Sequence, residues 1–223
     1  MDYSRIKLLS FDCYGTLIDF TLTKTTRDIL GDTIPEEKWH DFLIVFRDIR
    51  FYETFTPYKQ YSDVLRTTFK KAMDVCGFRY KNIYGEKLVE AVPTWGPFPD
   101  TKPILDKLGQ HFKLVIFSNA EDEMIAQNVR NMDVNFYDVI TAEAARAYKP
   151  TPQFFYYAWR RLGCDRSDTI HIAQGFNYDM MPAHSLGLKK IWINRNGRPG
   201  NLKDYGPYDE LPDLTGLPEL LGI

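Results

Sequence analysis

Apolar and polar positions follow two rhythms along this chain. Short apolar runs bounded by turn residues occur at 6–11, 113–117, 138–141, 169–173 and 190–193. Each is strand-length, and apolar residues at consecutive positions read as strands buried on both faces. Between the later runs, at 100–108, 121–131, 152–162 and up to about 185, apolar residues return every three or four positions, as on a helix with one buried face. Strands alternating with helices predict an α/β fold built on a doubly wound parallel sheet.

The stretch 20–92 breaks that alternation. Trp39, Leu43, Phe46 and Ile49/Arg50 form one helical stripe, and Tyr61, Leu65, Phe69, Ala72/Met73 and Cys76 form another. No strand pattern interrupts them, so the stretch reads as a helical insertion. The aromatic segment 51–58 (FYETFTPY) between the stripes has two readings, inter-helix packing or the apolar wall of a small-molecule pocket. A Pro- and Gly-rich return follows at 92–99, and Asp100 is placed to cap the next helix. The expected division is a core of residues 1–19 and 93–223 with a helical cap of residues 20–92. The tail after Asn194 is Gly/Pro-rich, with apolar anchors near Leu217 and Leu220.

Polar groups stand where the strands end: Asp12, then Ser118 and Asn119, then Lys149 shortly after the third strand, then Gln174 to Asp179. In open parallel sheets the carboxyl ends of the strands share one crevice, so these stations are expected to meet.

Composition narrows the partners. The 223 residues carry a net charge of −2, without the basic footprint of a nucleic-acid binder. Cys13, Cys76 and Cys164 are far apart and form no CxxC pair, which suggests neither a disulfide framework nor a zinc site. No signal-peptide pattern and no run of transmembrane length is present, so the expectation is a cytoplasmic protein with no membrane partner. The four histidines (His40, His111, His171, His184) are scattered and read as core or surface residues. Aromatic surface in the insertion permits a homodimer without demanding one.

In order and spacing, Asp12, Ser118, Lys149 and Asp179 resemble the motif residues of the haloacid dehalogenase superfamily, over essentially the whole chain. The segment Phe11-Asp12-Cys13-Tyr14-Gly15-Thr16-Leu17, with Ser118-Asn119, Tyr148-Lys149-Pro150 and Trp192-Ile193-Asn194-Arg195, is most similar to the type II 2-haloacid dehalogenases. The resemblance implies a Rossmannoid core with an inserted cap, and hydrolysis of a small organic anion through an ester on Asp12. A carboxylate with an ordinary pKa near ~3.9 is ionised at neutral pH and needs no activating base. Lys149 would keep Asp12 ionised, Thr16 and nearby backbone N–H groups would complete its cradle, and Asp179 would activate water. Ser118 and Asn119 would donate hydrogen bonds to a substrate carboxylate or leaving group. Arg47 falls where that branch carries its substrate arginine; it reads equally as a surface arginine whose stem lies along the stripe.

Superfamily phosphatases carry a second Asp two residues after the nucleophile and an acidic residue that helps hold Mg²⁺ at the late motif. Tyr14 and Gln174 stand at those places here. A phenol with an ordinary pKa near ~10 is no base at neutral pH. The pattern therefore points to hydrolysis without a metal or other cofactor. Gln174 and Phe176 also replace the Ser and Asn that dehalogenases usually place there, leaving Gln174 or Asn177 to help position the hydrolytic water. A Mg²⁺-dependent phosphatase and a non-catalytic binder of a small anion or partner are the alternatives.

Overall fold

The computed structural model describes Tyr3 and residues 6–223. Strand β1 (Leu8–Phe11) leads into four helices, α1 (Leu22–Leu30), α2 (Trp39–Glu53), α3 (Tyr61–Val75) and α4 (Asn82–Ala91). The chain then runs through α5 (Thr101–Leu108), β2 (Lys113–Ser118), α6 (Asp122–Met132), β3 (Asp138–Thr141), α7 (Ala142–Ala145), α8 (Pro152–Leu162) and β4 (Thr169–Ala173). A π-helical turn (Phe176–Met180) precedes α9 (Met181–Ser185), β5 (Lys189–Ile193), α10 (Leu202–Tyr205), β6 (Asp209–Leu211) and α11 (Leu217–Leu221).

The six strands form one parallel sheet in the order β3-β2-β1-β4-β5-β6. Every residue of β1 and β4 is buried, as the unbroken apolar runs require. Alternate residues feed opposite faces. Leu9, Phe11, Ile116 and Ile172 pack into the larger core, whereas Leu8, Val115 and Phe117 pack beneath α8 with Phe154 and Phe155. The chain leaves β1 toward β2 and β3, then returns to add β4 on the other side. The carboxyl ends of β1 and β4 thus border the point where strand order reverses, the place where such sheets hold ligands.

The inserted helices extend the larger core. Trp39, Phe42, Phe46 and Arg50 are buried along α2, and Phe69, packed from α3, stacks on Phe46 with ring centroids 5.2 Å apart. Glu53, buried at the end of α2, is held by Lys59 (2.5 Å) and Lys71 (3.0 Å), which pins the turn into α3. The insertion meets the sheet domain through Tyr148, whose hydroxyl donates to Lys59 O (2.7 Å), and through Ser62, whose hydroxyl donates to Glu121 (3.1 Å). Asn128 on α6 donates to Val92 O (3.1 Å) and Trp95 O (2.8 Å), fixing the returning linker to the sheet domain.

Asp100 does not cap α5 with its side chain. Its Oδ2 accepts instead from Arg195 (2.8 Å) and from Leu214 N (2.8 Å), tying the tail to the start of the helix. The guanidinium adds an ionic pairing that a cap on backbone N–H alone would lack.

Candidate active site

The residues after β1 turn sharply. Gly15 has φ +91°, a conformation that side chains resist, and its N–H donates to Ile18 O (2.8 Å). This turn brings the Thr16 hydroxyl back onto Asp12, donating to Oδ2 at 2.9 Å while accepting from Gln174 N–H at 2.8 Å. Thr16 O is in turn held by Arg195 Nε (3.2 Å) and Nη2 (2.9 Å). The carboxylate of Asp12 is therefore gripped from the strand end, the turn and the late motif together.

Lys149 joins the two acids. Its ammonium lies 2.9 Å from Asp12 Oδ1 and 2.6 Å from Asp179 Oδ1, with Lys149 and Asp179 each 1% exposed and Asp12 13%. Asn119 clasps the Lys149 backbone, donating to its carbonyl (2.8 Å) and accepting from its N–H (2.7 Å). That explains an asparagine after β2: an amide is both donor and acceptor. Burial alone would lower the Lys149 pKa, but the two carboxylates outweigh it and hold the amine above the ordinary lysine value. Asp179 is likewise penalised by burial, yet Lys149 and the hydrogen bond from His171 hold it below the ordinary aspartate value. Asp12 lies above that value, chiefly through burial, which outweighs Lys149 and is reinforced by the charge of Asp179. Burial also keeps the Tyr14 phenol and the Cys13 thiol protonated.

A cavity of about 130 Å³ opens onto Asp12, Lys149 and Asp179, walled by Tyr14, Phe20, Thr54, Tyr61, Ala120 and Tyr178 with Gln174 and Asn119 at its edge. The aromatic segment 51–58 is divided. Phe51 packs edge-on against Tyr178 (5.1 Å), Thr54 borders the cavity, Tyr58 lies against Tyr148 (5.4 Å), and Tyr52 and Phe55 face outward. Tyr14 donates its hydroxyl to Asn128 Oδ1 (2.8 Å), so its polar tip is already engaged.

Three expected site residues lie elsewhere. Arg47 is on the outer face of α2, its side chain 64% exposed and paired with Asp48 (2.8 Å). Three residues on, Arg50 is 8% exposed, borders the cavity with Tyr178 and packs over Phe46 (5.1 Å) and Phe20 (5.7 Å). Its Nη1 is buried with no hydrogen-bond partner among the described residues. Helical phase decides between them: the buried stripe through Trp39, Phe42 and Phe46 continues to Arg50, not Arg47. Asn177 is exposed outside the cavity, because both Asp179 N–H (2.9 Å) and Met180 N–H (3.3 Å) fold back onto Gly175 O in the π turn, which presents Tyr178 and Asp179 instead. Ser118 is buried behind the cavity wall, where its hydroxyl accepts from Ala120 N–H (3.2 Å). His171, which no spacing singled out, is buried beside Asp179 with Nε2 2.9 Å from Oδ1.

The two carboxylates that could hold Mg²⁺, Asp12 and Asp179, are already bridged by an ammonium. Among the described residues no three His, Cys, Asp or Glu side chains converge for a metal ion. A cation placed between Asp12 and Asp179 would meet the Lys149 ammonium at hydrogen-bonding range of both.

The fold and cleft are those of a Rossmannoid α/β hydrolase with helices inserted after its first strand. The chain belongs to the haloacid dehalogenase-like hydrolase family, whose model matches residues 6–187. It is 26% identical to (S)-2-haloacid dehalogenase 1 of Pseudomonas sp. (strain CBS-3), over 97% of this chain and 96% of that protein. Phosphate-ester and anhydride hydrolases are relatives too: pyrophosphatase PpaX of Bacillus velezensis is 23% identical over the full length of both chains. The crystal structure of an L-2-haloacid dehalogenase shares the fold with TM-score 0.85 at 23% identity, covering 99% of this chain and 100% of the other. No helix among the described residues is long and apolar enough to cross a membrane.

Proposed function

We propose that the protein is a metal-independent hydrolytic dehalogenase of short 2-haloacids, with Asp12 as nucleophile and the inserted helices as a cap over the site. The observation that carries this reading is that one small cavity is lined by both the Asp12 carboxylate and Arg50, a buried guanidinium whose Nη1 has no hydrogen-bond partner among the described residues. A buried N–H without an acceptor costs free energy that a bound anion recovers. A substrate with a carboxylate for Arg50 and an electrophilic carbon beside it satisfies both groups, and about 130 Å³ suits a chain of two to four carbons.

In the first step an Asp12 oxygen bonds to the α-carbon, the carbon–halogen bond breaks, and halide leaves with the bonding electrons. Asp12 suits this role because burial leaves it the less stabilised of the two anions. In the second step water adds to the ester carbonyl carbon of Asp12 while Asp179 accepts its proton. The ester C–O bond then breaks, the leaving alkoxide takes up one of the two water protons and departs as the 2-hydroxyacid, the other proton passes from Asp179 to solvent, and Asp12 regains a carboxylate that carries the water oxygen. Covalent capture divides one difficult displacement into two easier steps. Thr16 and Lys149 orient Asp12, and the aromatic walls limit bulk water.

The test is halide release from 2-chloropropionate and from a haloacetate in the presence of EDTA. Release by the wild type and none by Asp12→Asn is the expected result. Silence toward every short haloacid would sink the reading. Phosphate release from phosphomonoesters or pyrophosphate that EDTA abolishes would put a Mg²⁺-dependent hydrolase in its place.

A further inference from the structure

His171 does not touch the cavity, yet it is the residue best placed to govern Asp179. It lies mid-strand in β4, directly opposite Ser10 of β1 in the parallel register. That register puts both side chains on one face of the sheet and brings Ser10 Oγ to 2.9 Å from Nδ1 of the ring. Phe117 and Phe155 pack on the imidazole with centroids 5.7 and 5.9 Å away. A ring held at one nitrogen and on its faces has little freedom, and its other nitrogen, Nε2, is directed at Asp179 Oδ1 (2.9 Å). A carboxylate only accepts, so Nε2 carries the hydrogen whichever charge the ring bears.

The two oxygens of Asp179 are therefore unequal. Oδ1 receives both Lys149 and His171, whereas Oδ2 has no hydrogen-bond partner among the described residues. Oδ2 lies against the backbone of Gly175, 2.4 Å from where a Cβ would stand, so any larger residue there would displace it. We propose that His171 is a positioning residue for the hydrolytic half of the reaction, committing Oδ1 of Asp179 and leaving Oδ2 to take the proton from water. The proposal rests on the dehalogenase reading above.

The need for such a residue arises partway through turnover. In the free enzyme Lys149 divides its ammonium between two carboxylates. Once Asp12 has become a neutral ester, Asp179 is the ammonium's one remaining anionic partner, and an unrestrained carboxylate would swing both oxygens onto it. The water would then lose its base. The donor on His171 holds the carboxylate plane against that pull, so its removal should slow the second step and spare the first.

The experiment compares His171→Phe, which keeps an aromatic ring, with His171→Gln, which restores an N–H donor near the Nε2 position. Rapid-quench halide release and intact mass are followed with 2-chloropropionate. His171→Phe should retain the halide burst at the wild-type rate, lose about 10- to 100-fold in steady-state turnover, and accumulate protein esterified on Asp12. His171→Gln should recover most of the turnover. Equal slowing of burst and steady state, or unchanged turnover, overturns the proposal. If His171→Phe does not fold, Ser10→Ala frees Nδ1 and should shift the same burst-to-turnover ratio in the same direction; an unchanged ratio also overturns it.

A substrate-free measurement separates this proposal from the reading beneath it. The Nε2 proton of His171 in the wild-type NMR spectrum should move or vanish in Asp179→Asn. If it does so while no haloacid is turned over, the contact stands and the dehalogenase reading has failed, taking the hydrolytic role with it. A ring proton indifferent to Asp179→Asn refutes the positioning role directly.

Discussion

Replacing Arg50 with methionine separates binding from folding. The substitution removes a guanidinium with one nitrogen buried and without a hydrogen-bond partner among the described residues, a cost of roughly 1–3 kcal/mol to the free protein. It also removes the contacts over Phe46 and Phe20, which together stabilise by a similar ~1–3 kcal/mol. These offset, so thermal unfolding should stay within about 3 °C of wild type. Binding has no such offset. A charge-assisted pair between guanidinium and substrate carboxylate contributes about 1.5–3 kcal/mol, so KM for 2-chloropropionate should rise roughly 10- to 150-fold. Arg47→Met removes only an exposed pair with Asp48 and should change neither KM nor unfolding. Halide-release kinetics and calorimetry on the three proteins decide the matter. A large KM effect at Arg47 with none at Arg50 would refute the assignment of the substrate anion to the buried stripe of α2.

Asp12→Asn should be inactive yet melt above wild type at pH 7, because the folded state raises the Asp12 pKa and so disfavours its ionised form. Asp179 behaves in the opposite sense: its folded pKa is depressed, so its stabilisation is complete above the unfolded carboxylate value near ~3.9 and is lost as pH falls through the lower folded value. Unfolding of Asp179→Asn against pH should accordingly show a flatter acid limb than wild type; parallel limbs would refute this. Tyr14→Phe breaks the bond to Asn128 at a cost of about 1 kcal/mol and should lower Tm by ~2–4 °C while leaving halide release within a few-fold. A collapse of activity with an unchanged Tm would mean that the phenol takes part in the chemistry.

Much of the sheet was legible because parallel strands buried on both faces announce themselves as apolar runs: those at 138–141 and 169–173 coincide with β3 and β4, and the helix at 152–162 with α8. Strand β6 has no such signature, being three residues long and without a fully buried position. Asp12, Asn119, Lys149, Gln174 and Asp179 do line one crevice, since strand ends converge wherever the sheet is parallel, while Ser118 and Asn177 fall outside it. What failed was phase and reach. Arg47 and Arg50 are three residues apart, a rotation of about 300° around the helix, and only the stripe of buried neighbours says which faces inward. Asn177 lost its place to a π turn, which shifts every side chain that follows. His171 sits in a strand whose apolar neighbours made it look like core; its partner Ser10 is about 160 residues away in sequence and is found only by register.

Asn128 gives the molecule a constraint of another kind. One amide accepts from the tyrosine that walls the cavity and donates to both carbonyls of the strap leading back from the inserted helices. The shape of the pocket and the set of that strap are consequently one variable. Reshaping the wall at Tyr14 to admit a bulkier ligand would loosen the strap, and shortening the strap would reshape the wall. Redesign of this enzyme's selectivity has to treat Tyr14, Asn128 and the linker as a single unit.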